Sequence, residues 1–182
     1  MSYPTAIEVD GKTYEINTGY EHALACYACI DDPDIDSTER ALGVLGILYK
    51  EQPRNTKQAL AMALKYLQLG REQRPRDEED AIRDLDFAKD MHYIRSSFRS
   101  DYGIDLNERP GMHWWEFYEL LQGLTDACVL NRIRDLRNYD ISQVKDPRQR
   151  LKIKRAKDDV ALTPEMDEED AQKLDEFYSQ LK

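Results

Sequence analysis

The chain has 182 residues, a formal net charge of −10, 34% charged residues, eight glycines and seven prolines. That length suits one domain, or one domain with an appendage, and is enough to bury a real core. It excludes a membrane-spanning class, because no run approaches the roughly 18 apolar residues that a span needs. Three cysteines are too few, and odd in number, for a disulfide framework. The acidic balance argues against non-specific nucleic-acid binding by the chain as a whole. The opening Met1-Ser2-Tyr3-Pro4-Thr5 has neither a basic flank nor an apolar stretch. No secretory signal is therefore expected, and the chain is expected to remain in the cytoplasm where it is made.

Taken in order, Ala6-Ile7-Glu8-Val9 and Tyr14-Glu15-Ile16 alternate around Asp10-Gly11. Asp-Gly favours the positive φ values of a tight turn, which predicts a short β-hairpin over 5–17. A lone hairpin is marginal in water, so it must pack on helices. Thr18-x-x-Glu21 matches a capping box and starts a helix that Asp31-Asp32-Pro33 stops. The next helix is expected from Ser37 to about Lys50, with Leu42, Leu45, Ile47 and Leu48 inward. Asn55 can cap a third, whose Leu60, Ala63, Leu64 and Leu67 recur at three and four, with Gly70 at the C′ position. These helices form a lobe over 18–70. Residues 71–80 are charged or polar around Pro75 and carry no apolar side chain, as a linker would.

An aromatic helical core is expected over 86–160. Asp86 caps a helix to Tyr102 with Met91, Ile94, Phe98 and Tyr102 on one stripe, and Gly103 ends it. A helix from His113 places Trp114, Phe117, Leu121 and Leu124 on one face. The helices on either side of the 103–112 loop are expected to bury Trp114, Phe117, Ile94 and Phe98 together. Thr125 would cap a helix through Val129, Ile133 and Leu136. Asp146-Pro147 reads as N-cap and N1 of a basic helix. Thr163-Pro164 punctuates, and 163–182 reads as an acidic helix with Ala171, Leu174, Phe177, Tyr178 and Leu181 on one face. The expected fold is mainly α: a compact multi-helix domain, 1–162, with a short N-terminal β-hairpin and an acidic C-terminal helix.

Few residues suggest chemistry. Cys26-x-x-Cys29 with His22 one turn earlier could be half of a zinc site or a redox pair. A structural zinc needs four ligands and no second pair appears, so the cysteines read as small core residues. The sequence holds no G-x-S-x-G, H-E-x-x-H, Walker or G-x-G-x-x-G motif. His113 reads as a local cap. Asp86, Asp90, Asp101 and Asp105 read as caps, first-turn and loop acids rather than as acid–base or cation ligands. No catalytic residue, metal site or cofactor is expected.

Two surfaces remain. Adjacent helical residues point about 100° apart, so Trp114 belongs to the core stripe while Trp115, beside Tyr118 and Gln122, faces outward as a partner-binding candidate. The second surface is basic. Residues 132–157 carry ten Lys or Arg against three Asp. Lys152, Lys154 and Arg155 within 148–157 could track a phosphate backbone, or could pair with the acidic tail.

The order D-F-x-x-D, Y-I-x-x-x-F, Y-G-I-D-L and H-W-W-x-F-x-x-L-L-x-x-L, read from Asp86 to Leu124, resembles a bacteriophage tail-gene family named after a fifteenth gene product. The resemblance covers about 5–160 and is strongest over 86–137. Such proteins are encoded just upstream of the tape-measure gene in long-tailed phages. The resemblance implies a non-enzymatic tail-assembly chaperone of the host cytoplasm. Its implied partners are the tape-measure protein and other tail-assembly proteins, with no membrane; a homo-oligomer is also compatible. The alternatives are a small nucleic-acid-binding regulator using 148–157, and a structural tail subunit kept in the virion.

Overall fold

A computed structural model describes residues 2–71, 84–162 and 176. The chain is mainly α, with seven α-helices among the described residues and one two-stranded antiparallel sheet. Most of the charged linker and the acidic C-terminal helix expected from sequence lie outside the described residues. The described chain forms two compact units. One comprises residues 2–71 with Pro110–Glu119 and Glu176, and the other residues 84–109 with 120–162.

In the first unit, β1 (Ala6–Val9) pairs with β2 (Lys12–Glu15), Ile7 opposite Tyr14 and Val9 opposite Lys12. Asp10 and Gly11 both take positive φ, 50° and 74°, the turn their sequence predicts. Ile7, Val9, Tyr14 and Ile16 are buried, and β1 lies on α3 (Thr56–Leu67). The hairpin thus finds the helical support that it needs. Beyond β2 the chain goes on pairing: Asn17 N donates to the Leu48 carbonyl oxygen (2.8 Å) and Lys50 N to that of Glu15 (3.1 Å).

α1 (Tyr20–Asp31) packs on α2 (Ser37–Leu48), and α2 on α3. Gly43 permits the first contact: a Cβ there would lie 2.4 Å from Cys29 Sγ. Asp36 closes a full capping box with Glu39 at the start of α2. The inward face of α2 is Arg40, Val44, Leu45 and Leu48. Leu42, expected inward, is 59% exposed, because the packed stripe follows i, i+4, i+5 and i+8 from Arg40. Buried Arg40 gives its Nη2 to the Asp32 carbonyl oxygen (2.5 Å), capping the end of α1.

Two caps differ from the sequence reading. The N-cap of α1 is Gly19 without a side-chain bond, not Thr18. The carbonyl of Thr18 instead accepts from Trp114 N (2.7 Å), and Tyr20 N donates to the Met112 carbonyl oxygen (2.8 Å). At the end of α3, Gly70 N reaches the Lys65 carbonyl oxygen (2.8 Å) and Leu69 N that of Tyr66 (3.0 Å). This is a Schellman motif. It puts Leu69 (φ 59°) at C′ and moves Gly70 (φ 75°) one place on.

In the second unit, α4 (Phe87–Tyr102) packs on α6 (Val129–Asn138), and α6 on α7 (Pro147–Val160). Asp86 caps α4 and Gly103, at φ 67°, ends it. Asp146 and Pro147 open α7 as expected. Thr125 is not the cap of α6. That role falls to Cys128, whose sulfur accepts from Asn131 N (3.4 Å). Thr125 gives its N–H (2.8 Å) and hydroxyl (2.9 Å) to Asp101. Ile94 and Phe98 are buried here, while Trp114 and Phe117 are buried in the first unit.

The polar centre of this unit is Asp90 with Arg137. Arg137 Nη1 and Nη2 reach the two oxygens of Asp90, both at 2.7 Å. Its Nε meets the Val160 carbonyl oxygen (2.7 Å) and its Nη1 that of Asp84 (2.8 Å). Asp90 Oδ2 also accepts from Asp86 N (2.9 Å). Asp90 lies in the first turn of α4 as expected; its carboxylate is also fully buried and, through Arg137, joins α4 to α6 and to the end of α7.

Candidate functional site

α5 (Trp114–Gln122) carries the aromatic residues singled out by sequence. Its start is tied to the start of α1 by the Thr18–Trp114 and Tyr20–Met112 bonds, and Gly111 N donates to Glu21 Oε1 (2.9 Å). A Cβ at Gly19 would stand 2.9 Å from Glu21 Oε2, so the carboxylate that accepts from Gly111 would have to shift.

His113 is the side-chain cap of α5. Its Nδ1 accepts from Trp115 N (3.0 Å), and its Nε2 meets the Pro4 carbonyl oxygen (2.9 Å). An accepting Nδ1 and a carbonyl at Nε2 fix the neutral tautomer with its proton on Nε2. Tyr3 stacks on the imidazole at 4.9 Å and gives its hydroxyl to Glu119 Oε2 (2.7 Å). The imidazole is thus committed to positioning.

The two tryptophans act on one target. Trp114 is buried, stacks on Phe117 at 5.7 Å, and gives its Nε1–H to the Leu67 carbonyl oxygen (2.9 Å). Trp115 is half-buried, stacks on Tyr66 at 6.0 Å, and gives its Nε1–H to the Tyr66 carbonyl oxygen (3.1 Å). Carbonyls in the last turn of a helix lack intrahelical donors. The indole pair supplies donors at the end of α3, and the Trp115 ring passes Gly70 at a distance where a Cβ would make ordinary contact, 3.6 Å from Cη2. Sequence reasoning anticipated the buried and part-exposed split. It missed the shared target, which only the approach of α3 to α5 creates.

Of the other candidates, Tyr118 is half-buried with its ring edge-on to Trp114 (5.3 Å), and Gln122 is exposed on the last turn of α5, in the second unit. Lys152, Lys154 and Arg155 are all exposed on α7. The structure brings them together on a helix with no buried residue.

The cysteines and carboxylates have structural duties. Cys26 is buried, and its thiol faces the Val44 carbonyl oxygen (3.9 Å); that of Cys29 faces the Arg40 carbonyl oxygen (3.8 Å). Burial, with Cys29 adding, pushes the Cys26 thiol up to about 12. Burial also raises the Cys29 thiol. Such thiols are poor nucleophiles and poor ligands. His22 is exposed where Cys26 is buried. Among the described residues, no group of three or more His, Cys, Asp or Glu is placed to hold a metal ion. The N–H of Thr125, helped by the Ser100 hydroxyl, holds the Asp101 carboxyl below its ordinary value. The N–H of Asn107, with Arg99, does the same for Asp105.

Among the described residues no helix is long and apolar enough to cross a membrane. Comparison with curated proteins and with solved structures found no match. The family model described as Bacteriophage Gp15 protein matches residues 2–162, from the N-terminal segment that holds His113 to beyond α7. With the match running through the hairpin, the indole pair and the Asp90–Arg137 centre, the chain belongs to the bacteriophage Gp15 family.

Proposed function

We propose that this chain is a tail-assembly chaperone that binds the tape-measure protein of its phage in the host cytoplasm during tail morphogenesis. The observation that carries this reading is the family match over residues 2–162. The physical logic supports it. A tape-measure chain is long, helical and rich in apolar faces, and would self-associate before the tube forms around it. A helical protein can cover such faces by helix-in-groove contacts, and a net charge of −10 keeps the complex dispersed. The part-exposed flank of α5, with Trp115, Tyr118 and Gln122, is the assigned contact surface, because aromatic anchors carry most of the energy of such interfaces. No catalytic step and no cofactor enter this reading.

Co-expression with the tape-measure protein tests it. The soluble tape-measure fraction should rise and the two chains should co-purify. Tyr118→Ala and Gln122→Arg should weaken the complex while the free protein still melts cooperatively. Absence of association, together with tails of normal length after deletion of this gene, would overturn the assignment. The chain's presence in washed virions by mass spectrometry would favour a structural tail subunit instead. The exposed cations of α7 support a second reading, a small nucleic-acid-binding regulator. That reading requires binding to fall steeply with salt and to depend on Lys152, Lys154 and Arg155.

A further inference from the structure

α7 has two unlike faces. Ile153, Ala156 and Val160 are half-buried on one. Arg148, Leu151, Lys152 and Arg155 share the other, and all four are exposed. Leu151, 51% exposed, has Arg148 three residues before it and Arg155 four residues after it, so a cation neighbours it on either side along the helix surface. Among the described residues Arg148, Lys152 and Arg155 make no ion pair, whereas Arg150 and Lys157 give their donors to the carbonyls of Val144 and Tyr139. Carboxylates bound the stretch. Asp146 caps α7 before Arg148, and exposed Asp158 and Asp159 follow Arg155 by three and four residues. The free cations therefore span roughly 11 Å at 1.5 Å per residue, about two turns.

That pattern discriminates between kinds of acidic partner. A phosphate backbone carries evenly spaced charge along its whole length. It offers no apolar group to Leu151, and it would run onto Asp158 and Asp159 one turn past Arg155. An acidic amphipathic helix matches every element of the face. We propose that this face docks such a helix from a different protein, one in which an apolar side chain has a carboxylate about one turn away on both sides. The apolar residue covers Leu151, as anchors at helical spacing do in helix recognition. The carboxylates take the guanidinium groups of Arg148 and Arg155 in charge-assisted hydrogen bonds, and Lys152 adds a third cation at the edge. The short cationic span sets the length of the motif: acidic, apolar and acidic within about two turns. Glu176, the described residue of the acidic C-terminal segment, lies beside Pro33–Ser37 in the first unit, whereas α7 belongs to the second. The matching carboxylates therefore come from another chain. α7 and the Trp115 flank of α5 also lie in different units, and docking on α7 is independent of any tape-measure contact at α5.

The test is fluorescence anisotropy of a labelled helical peptide with one glutamate–leucine–glutamate stripe at i, i+3 and i+7, titrated with the full-length protein at physiological ionic strength. Binding should saturate at one peptide per chain. Leu151→Asp and Arg155→Glu, both at exposed positions, should each weaken it about tenfold or more. Arg95→Glu, exposed on α4, should leave it unchanged. The double variant Arg148→Glu with Arg155→Glu should lose the peptide and bind one whose two glutamates are replaced by arginine. That charge exchange keeps the result interpretable if a single variant disturbs α7. Absence of saturable binding, or equal binding of a peptide whose leucine is replaced by serine, would overturn the proposal. Displacement of the peptide by an equal concentration of a short DNA duplex would overturn it in favour of a phosphate backbone. Self-association of the protein that is lost in Leu151→Asp would overturn it in favour of a second copy as the occupant.

Discussion

Arg137 grips Asp90 with two nitrogens, each 2.7 Å from a separate carboxylate oxygen, and the Arg137 side chain is only 8% exposed. The same guanidinium also holds the carbonyls of Asp84 and Val160. One planar cation thereby joins the chain before α4, α4 itself, α6 and the end of α7. Side-chain hydrogen bonding to Asp90 raises the affinity of Arg137 for its proton further.

Arg137→Ala should therefore cost about 3–5 kcal/mol, since it leaves a buried carboxylate uncompensated. Arg137→Lys should recover little of this, because a single ammonium cannot reproduce the fork. Denaturant melting checks both. A loss below about 1 kcal/mol for Arg137→Ala would mean that the pair does not hold the unit together.

The indole pair predicts graded losses. Trp114→Ala removes a fully buried ring and should cost about 3–5 kcal/mol. Trp115→Phe keeps a ring over Tyr66 and loses one hydrogen bond, which should cost about 0.5–1.5 kcal/mol. Equal losses at the two positions in urea melting would show that the half-buried ring carries as much as the buried one.

The α1–α2 contact predicts a rescue. Gly43→Ala places a methyl 2.4 Å from Cys29 Sγ, and the overpacking should cost about 1–3 kcal/mol. Cys29→Ala removes the obstructing sulfur and should restore most of that loss in the double variant. A double-mutant cycle on thermal melting measures the coupling.

Cys26 predicts a pH response. Burial pushes its folded thiol up to about 12, above the ordinary thiol value near 8.5. A raised folded value means that its contribution is fully present below the unfolded value. That contribution is lost as pH climbs through the interval up to about 12. Native Cys26 should resist a thiol reagent at pH 8 and react once denatured, which mass spectrometry of the labelled peptide reads. Asp101 works in the opposite sense. Its folded value is lowered, so its contribution is present above the ordinary carboxylate value and lost as pH falls below it. Thr125→Val removes the hydroxyl bond and keeps the N–H that matters most, so it should leave most of that acid limb of the stability curve in place.

The sequence by itself determined what local physics decides. Asp10-Gly11 sets the hairpin turn because both positions need positive φ. Asp36, Asn55, Asp86 and Asp146 start helices because their side chains meet free N–H groups nearby in sequence. The stripes of α3 and α5 name their own buried faces. Only the tertiary structure decided what depends on residues distant in sequence. Thr18 and Thr125 carry cap signatures, yet Gly19 takes the N-cap of α1 and Thr125 gives its N–H and hydroxyl to Asp101. Leu42 fits an apolar pattern and still faces out, because the packing angle of α2 selects Val44 and Leu45. Asp90 and Arg137 look like ordinary surface charges until two helices bring them together. Trp114 and Trp115 point apart on their own helix, yet they serve one end of α3. No spacing rule contains that relation, since its geometry depends on how α3 approaches α5.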